Sequence, residues 1–389
     1  MVIENGLVSR KFAMTPAFGT IEYTSLCTQK SLLRTLLPEG YIMLDNTTYP
    51  IGGLAQTGHH SFINRSKIAV LDNAFEMVSY TTGSPVAPYP WTPGYRHAPS
   101  NVKWPPEGKT LTVLFKPPSS VASPSHAGIL VYVNYELYQG VPILAKWMTV
   151  KNTMNTPVQV NAITIETLGT NKPYAPQGLS PQAKPWEHDT TAITVSWLYV
   201  EANIPHGASI VWGSDPSLSD SPGADEPELE CSYTAGPGVV VSGNASNNIY
   251  RHDSDNRGHS HHQSFSKHGM KSIDIDELKT GQMVNEFDTY RVLELMTDTF
   301  DLERTALSRH RMTRLLAPQT QENPIFFHCT NSTPEGFRSA IDQMVEVGFE
   351  MYIYSFGSGF KLEDLSDANI EKIAANIQYA HSKGIEVGG

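Results

Sequence analysis

The feature that most constrains this chain is a change of periodicity late in its length. From the start to about residue 285, apolar residues come in short β-prone runs. Clusters of Gly, Pro, Asn and Ser separate them, as turn residues separate strands. Val8 to Phe12, Ile42 to Leu44, Ile68 to Leu71 and Thr110 to Phe115 are such runs. A longer pair, Gly128 to Tyr138 and Ile143 to Val150, is joined by the turn signal Gln139-Gly140-Val141-Pro142. Val158 to Ile165 largely alternates apolar with polar, the period of a half-buried strand. Ala192 to Val200 and Ser209 to Trp212 add two more. Many strands without a helical period between them predict a large antiparallel β-sandwich.

After residue 285 the pattern becomes helical. Asp301 to Leu316 predicts a helix, with Asp298 or Thr299 as its N-cap and Pro318 just past its end. Arg304, Arg309, Arg311 and Arg314 make it a basic, solvated linker. Strand and helix then alternate. Pro324 to His328 predicts a short strand. Ser332 caps a helix with Pro334 in its first turn and Glu335 three residues on. Phe337, Ile341, Met344 and Val345 form its apolar stripe, and Gly348 ends it. Phe349 to Ser355 predicts a second strand. Asp367 caps a second helix striped by Ile370, Ile373, Ala374 and Ile377, which Gly384 stops; Ile385 to Val387 opens a third strand. This is β-α-β-α-β, the repeat of a parallel sheet wrapped by helices. About seventy residues cannot close a (β/α)8 barrel, which needs ~200 or more. The expected fold is therefore β + α/β: a large antiparallel β-supersandwich over 1–285, a linker with a helix over 286–320, and over 321–389 the first units of an incomplete TIM barrel. A small doubly wound α/β domain would need more strands.

Composition narrows the partners. Across 389 residues, 28 basic against 39 acidic side chains give a net charge of −11, which disfavours a broad phosphate-binding surface and so a nucleic-acid partner. No apolar run reaches the ~20 residues of a membrane span. Met1 to Gly6 lacks the basic start and apolar core of a signal peptide. Sequons at Asn46, Asn64, Asn244 and Asn331 support a secretory route only weakly. Cys27, Cys231 and Cys329 form neither a disulfide framework nor a metal ribbon.

Two runs resemble a known family. Tyr135-Glu136-Leu137-Tyr138-Gln139-Gly140-Val141-Pro142-Ile143-Leu144-Ala145-Lys146-Trp147-Met148-Thr149-Val150-Lys151-Asn152 resembles the N-terminal supersandwich of the α-galactosidase (melibiase) group of clan D retaining glycoside hydrolases. Ala380 to Gly389 resembles the junction into that family's third barrel strand, and Glu322-Asn323-Pro324 the entry to its first. The resemblance implies a divergent branch, hydrolysis of O-glycosidic bonds by the full-length protein, and a carbohydrate substrate. Retaining hydrolysis needs two carboxyl groups ~5–5.5 Å apart. The family carries these aspartates on its fourth and sixth barrel strands, so no catalytic residue is expected within this chain. Where α-galactosidases typically place an aspartate pair after the second strand, this sequence reads Tyr354-Ser355-Phe356-Gly357.

Functional groups of (β/α)8 enzymes sit at the C-terminal ends of strands. That makes His328, Ser355, Phe356, Gly357 and Ser358 the candidate substrate contacts; the bland alternative is a packed histidine and a tight turn. Gly357-x-Gly359 lacks the third glycine of a nucleotide fingerprint, since Leu362 stands there. His252, His259, His261, His262 and His268, with Asp253 and Asp255, match no closed metal spacing and read as an insertion loop. Trp186, Glu187, His188 and Asp189 read as structural, whereas Trp91, Tyr95, Arg96, His97 and Trp104 form an aromatic loop able to lean over a sugar. Long loops are expected over 81–107, 168–190 and 213–238. No cofactor and no metal are expected. A homo-oligomer is compatible with the family, as is a secreted or lysosomal-type location for the full-length protein. The competing readings are a non-catalytic carbohydrate-binding sandwich and a gene-model fragment without a function of its own.

Overall fold

A computed structural model describes residues 1–57, 63–95, 98–119, 123–170, 192–195, 198–203, 209–214, 227–241, 263–266, 269–272, 284–299, 301–355, 357–359, 361, 364 and 366–388; for strands 192–195, 209–214, 227–241, 263–266 and 269–272 it describes the backbone alone. The chain divides into two compact units, 1–90 with 104–312, and 91–103 with 313–389. Among the described residues no helix is long and apolar enough to cross a membrane.

The first unit is built from antiparallel sheets. One sheet runs Ala192–Val195, Leu198–Ala202, Val292–Met296, Ile143–Asn152, Ile129–Tyr138, Gly108–Lys116, Glu76–Gly83, with Glu286–Asp288 also paired to Ile143–Asn152. A five-stranded sheet runs Ser209–Ser214, Pro227–Val241, Val158–Gly169, Gly40–Leu44, Thr47–Ile51, and a four-stranded one Val2–Glu4, Val8–Ala13, Gly19–Ser25, Lys30–Ser31. Their inward positions share one core, in which Phe12, Ile42, Val113, Val133, Met148, Val160 and Val292 are all buried. Burial of this kind contributes ~1.5–3 kcal/mol per large side chain.

Several expected boundaries move. The run Ala192 to Val200 is two strands, Ala192–Val195 and Leu198–Ala202, paired antiparallel. Residues 213–238 are not one long loop, because Pro227–Val241 is a strand held by partners on both sides. The sheet also continues past residue 285, through Glu286–Asp288 and Val292–Met296. The histidine-rich stretch around 252–262, His268, the segment 186–189, Arg96 and His97 lie outside the described residues.

At the centre of this core sits a cluster of charges. Arg10, Glu39, Lys146, Glu166 and Glu294 are each at most 1% exposed. They come from all three sheets. The Arg10 guanidinium donates to Glu166 at 2.7 Å, to Glu39 at 3.0 Å and to the Thr20 hydroxyl at 2.9 Å. Lys146 Nζ donates to the Glu39 carbonyl at 2.6 Å, to Glu166 Oε1 at 2.9 Å and to Glu39 Oε2 at 3.2 Å, so all three of its protons are engaged. The Tyr135 hydroxyl and Thr20 also donate to Glu39. Burial alone would raise the Glu39 carboxyl. Lys146, Arg10 and the Thr20 and Tyr135 hydrogen bonds outweigh it and hold Glu39 at about 2. Glu166 is lowered too, with Arg10 and Lys146 outweighing its burial.

The helix Leu302–Leu316 matches its expected span, but its first turn is capped by Asp301, whose carboxylate accepts from the Arg304 N–H at 2.8 Å. Two of its arginines within the first unit have partners: Arg304 pairs with Asp298 at 2.5 Å, and Arg309 lies 5.1 Å from the Tyr199 ring centre.

The second unit contains three parallel strands, Phe326–Cys329, Met351–Tyr354 and Glu386–Gly388. The helices Pro334–Val347 and Asp367–Ser382 connect them. Phe337, Ile341 and Met344 are buried against the sheet, while Val345, the last of the expected stripe, is 45% exposed. The second helix differs more. It packs through Asn376 and Ala380, and Ile370 is 51% exposed. Both N-caps also shift by one residue, to Thr333 and Ser366. Ser332 does not cap because its hydroxyl bonds instead to that of Ser358. Thr333→Ala is expected to destabilise this unit by ~1 kcal/mol, since the Gly336 N–H loses its acceptor. Urea unfolding followed by helical circular dichroism would check it. Gly348 closes the first helix at φ 84°, a left-handed conformation that favours glycine.

Candidate functional site

The candidate groups are placed by the register of the parallel strands. His328 stands beside Ile353, and Cys329 beside Tyr354. Side chains alternate across a sheet. Tyr352 and Tyr354 face the helix Pro334–Val347, where the Phe337 ring lies 4.6 Å and 5.3 Å from theirs. His328, Ile353 and, one step beyond, Ser355 therefore share the opposite face. His328 is exposed and Ser355 half-buried, and neither side chain has a hydrogen-bond partner among the described residues. A histidine and a hydroxyl are thus available together at the C-terminal ends of adjacent strands.

The next residues form a turn. Gly357 and Gly359 have φ of 76° and 96°. Between them, Ser358 donates to the Ser355 carbonyl from its N–H at 3.2 Å and from its hydroxyl at 2.6 Å. Its oxygen also contacts the Ser332 hydroxyl. Ser358 is therefore engaged in holding two loops together, and Gly357 offers only backbone. Phe356 lies outside the described residues. Ser358→Ala is expected to cost ~1 kcal/mol by leaving the Ser332 hydroxyl without its partner, measurable as a lower thermal midpoint.

A small cavity lies on the helix side of the same strand ends, lined by Ser332, Tyr354, Gly359, Asn369, Lys372 and Asn376. Asn376, itself buried, donates to the Tyr354 hydroxyl at 3.2 Å. Asn369 donates to the carbonyls of Lys361 and Asp364 at 3.0 and 2.8 Å, fixing the loop ahead of its helix. Burial pushes both the Tyr352 and Tyr354 phenols up, so they remain neutral donors. Among the described residues, no three His, Cys, Asp or Glu side chains gather as a metal site. The described strand ends carry no pair of carboxylates. The arrangement can orient a polar ligand by hydrogen bonds.

The sequence also hid a polar constellation that the fold brings together, the buried charges around Arg10 and Lys146. Their signal was a charge at an inward position of an otherwise apolar strand.

No family model matches the chain, and no curated protein matches it. Solved structures do resemble it in fold. The GH36 α-galactosidase AgaB from Geobacillus stearothermophilus aligns over 99% of this chain and 54% of its own, at 10% identity and a TM-score of 0.42. An α-galactosidase from Lactobacillus brevis aligns over 100% and 54%, at 9% identity and a TM-score of 0.44. A β-arabinopyranosidase aligns over 100% and 55%, at 8% identity and a TM-score of 0.40. The chain spans about half the length of these structures. A variant of the related Geobacillus enzyme AgaA is described in complex with stachyose. At these identities and scores, function has to be argued from the residues themselves.

Proposed function

We propose that this chain forms the N-terminal sandwich and the opening strands of the catalytic cylinder of a retaining glycoside hydrolase of the α-galactosidase type. The observation that supports the reading is the parallel register of Phe326–Cys329, Met351–Tyr354 and Glu386–Gly388, each pair joined by a helix, after an antiparallel sandwich. A parallel sheet built this way presents ligand-binding groups at its C-terminal strand ends. There, His328 and Ser355 act as hydrogen-bonding contacts to a sugar hydroxyl. The nucleophile and the acid/base come from later strands, so residues 1–389 bind without cleaving.

The test compares residues 1–389 with the polypeptide extended through the downstream reading frame, both assayed on aryl α-galactosides. Hydrolysis is expected from the longer polypeptide alone. His328→Ala and Ser355→Ala in that background should each raise KM about tenfold, the loss of one hydrogen bond worth ~1.4 kcal/mol. Turnover by residues 1–389, free of contaminating glycosidases, would overturn the reading, as would an extended protein that splits no glycoside.

A further inference from the structure

The charge cluster of the sandwich core contains two cations and three carboxyl groups, and none of the five side chains reaches solvent. Titratable groups from several strands face one another there: Arg10 from Val8–Ala13, Tyr23 from Gly19–Ser25, Glu39 just ahead of Gly40–Leu44, Tyr135 from Ile129–Tyr138, Lys146 from Ile143–Asn152, and Glu166 from Val158–Gly169. Glu294, on Val292–Met296, completes the set. Arg10 and Lys146 are matched by Glu39 and Glu166 alone. A third negative charge would leave the core with an unpaired ion, which costs several kcal/mol even after relaxation.

Hydrogen bonding singles out which carboxyl is the odd one. Glu39 accepts from Arg10, Lys146, Thr20 and Tyr135. Glu166 accepts from Arg10, Lys146 and the Thr167 N–H. Among the described residues neither oxygen of Glu294 has a hydrogen-bond donor, and the cation facing it, Arg10 Nη1, is 3.7 Å away. All three Lys146 protons are already committed elsewhere. The Glu294 carboxyl instead faces the Glu166 carboxyl and the Tyr23 hydroxyl. Two carboxyl groups bond to each other only when one of them carries a proton.

We infer that Glu294 is a neutral carboxylic acid in the folded protein, sharing its proton with the Glu166 carboxylate, and that this buried proton is the lock of the sandwich core, released as pH rises. Burial and the Glu166 charge both push the Glu294 carboxyl up, with Arg10 opposing them, which agrees with the geometry. When the proton leaves, two carboxylates face each other at the junction of the eight-stranded and five-stranded sheets, and the sandwich loosens.

The sign of the pH dependence is fixed by linkage. The proton is held in the folded state and lost in the unfolded chain above a carboxyl pKa of ~4.3. Folding stability from this group is therefore complete below that value and falls as pH rises. Glu294→Gln keeps a donor to Glu166 but cannot ionise. The ratio of its folding constant to that of the unaltered protein should rise about tenfold per pH unit between roughly pH 5 and the pKa of Glu294 in the folded protein. Urea titrations at several pH values, read by amide hydrogen exchange in Ile143–Asn152, would measure it. Glu39, held at about 2, stays ionised over this range in both proteins and cancels. A ratio that stays flat over pH 5–8 would overturn the inference. Should Glu294→Gln fail to fold, infrared spectra of the unaltered protein at pH 7.5 decide. The inference requires a protonated carboxyl C=O band there, where ordinary carboxyl groups are ionised, and the lack of one refutes it.

Discussion

Lys146→Met is expected to remove about 3–5 kcal/mol from the stability of the sandwich, enough to leave much of the protein unfolded at 37 °C. The ammonium group is fully buried and makes three hydrogen bonds, two to carboxylates and one to a carbonyl. Methionine fills a similar volume, so the loss is not one of packing. It arises because Glu39 and Glu166 keep their charges with only Arg10 to face them. Adding Glu39→Gln to Lys146→Met restores the balance of one cation and one carboxylate, and should recover more than half of the loss. A double-mutant cycle by urea unfolding at pH 7 would measure both. A Lys146→Met protein as stable as the original would show that the cluster contributes specificity and no stability.

Acid should unfold the sandwich within a defined window. Glu39 is held at about 2, against 4.5 for an ordinary glutamate. A carboxyl lowered in this way stabilises the fold above the unfolded value and loses that contribution as pH falls through the folded one. The contribution from Glu39 is about 3 kcal/mol at neutral pH, lost between roughly pH 4.5 and pH 2. Glu166, lowered for the same reason, adds to the loss. Thermal midpoints measured from pH 6 to pH 2 should therefore drop steeply below pH 4.5. The drop should be shallower in Glu39→Gln, which starts less stable. Midpoints independent of pH across that range would contradict the assignment of paired charges to the core.

The sequence carried the architecture well wherever one local signal governs the backbone. Phe337, Ile341 and Met344 recur at helical spacing and are the buried face of their helix. Gly348 stops that helix because a left-handed residue is needed there. The failures come where tertiary pairing decides. Pro227–Val241 is rich in Glu, Pro and Gly, yet it is a strand, because Val158–Gly169 and Ser209–Ser214 pair with it on both sides. Ala192–Val195 and Leu198–Ala202 pair as separate strands, yet the sequence between them, Ser196-Trp197, has no Gly, Asn or Pro to divide the run.

The candidate site was legible in part. Strand periodicity puts Ile353 and Ser355 on one face, but that His328 joins them depends on the register between two strands, which periodicity alone leaves open. The engagement of Ser358 with Ser332 does not follow from periodicity either, since it depends on how two loops meet. The charge cluster had a readable trace. Arg10 lies between Val8 and Phe12, Lys146 between Leu144 and Met148, and Glu294 between Val292 and Met296, each charge in the buried register of its strand. A single inward charge reads as an error of register. Three of them, of both signs, are a sign of mutual neutralisation.

The discontinuous second unit has a consequence for how the polypeptide is made. Trp91 donates to Glu322 at 2.8 Å, and Asn101 accepts from Arg314 at 2.5 Å. Residues 91–103 leave the ribosome roughly 200 residues before these partners. At ~5–20 residues per second the segment waits some tens of seconds, with Trp91 unable to dock. The early strands on either side of it must therefore pair around an unplaced loop during synthesis. A nascent-chain crosslink from position 91 should accordingly capture chaperones until residue 322 emerges, and its own chain afterwards.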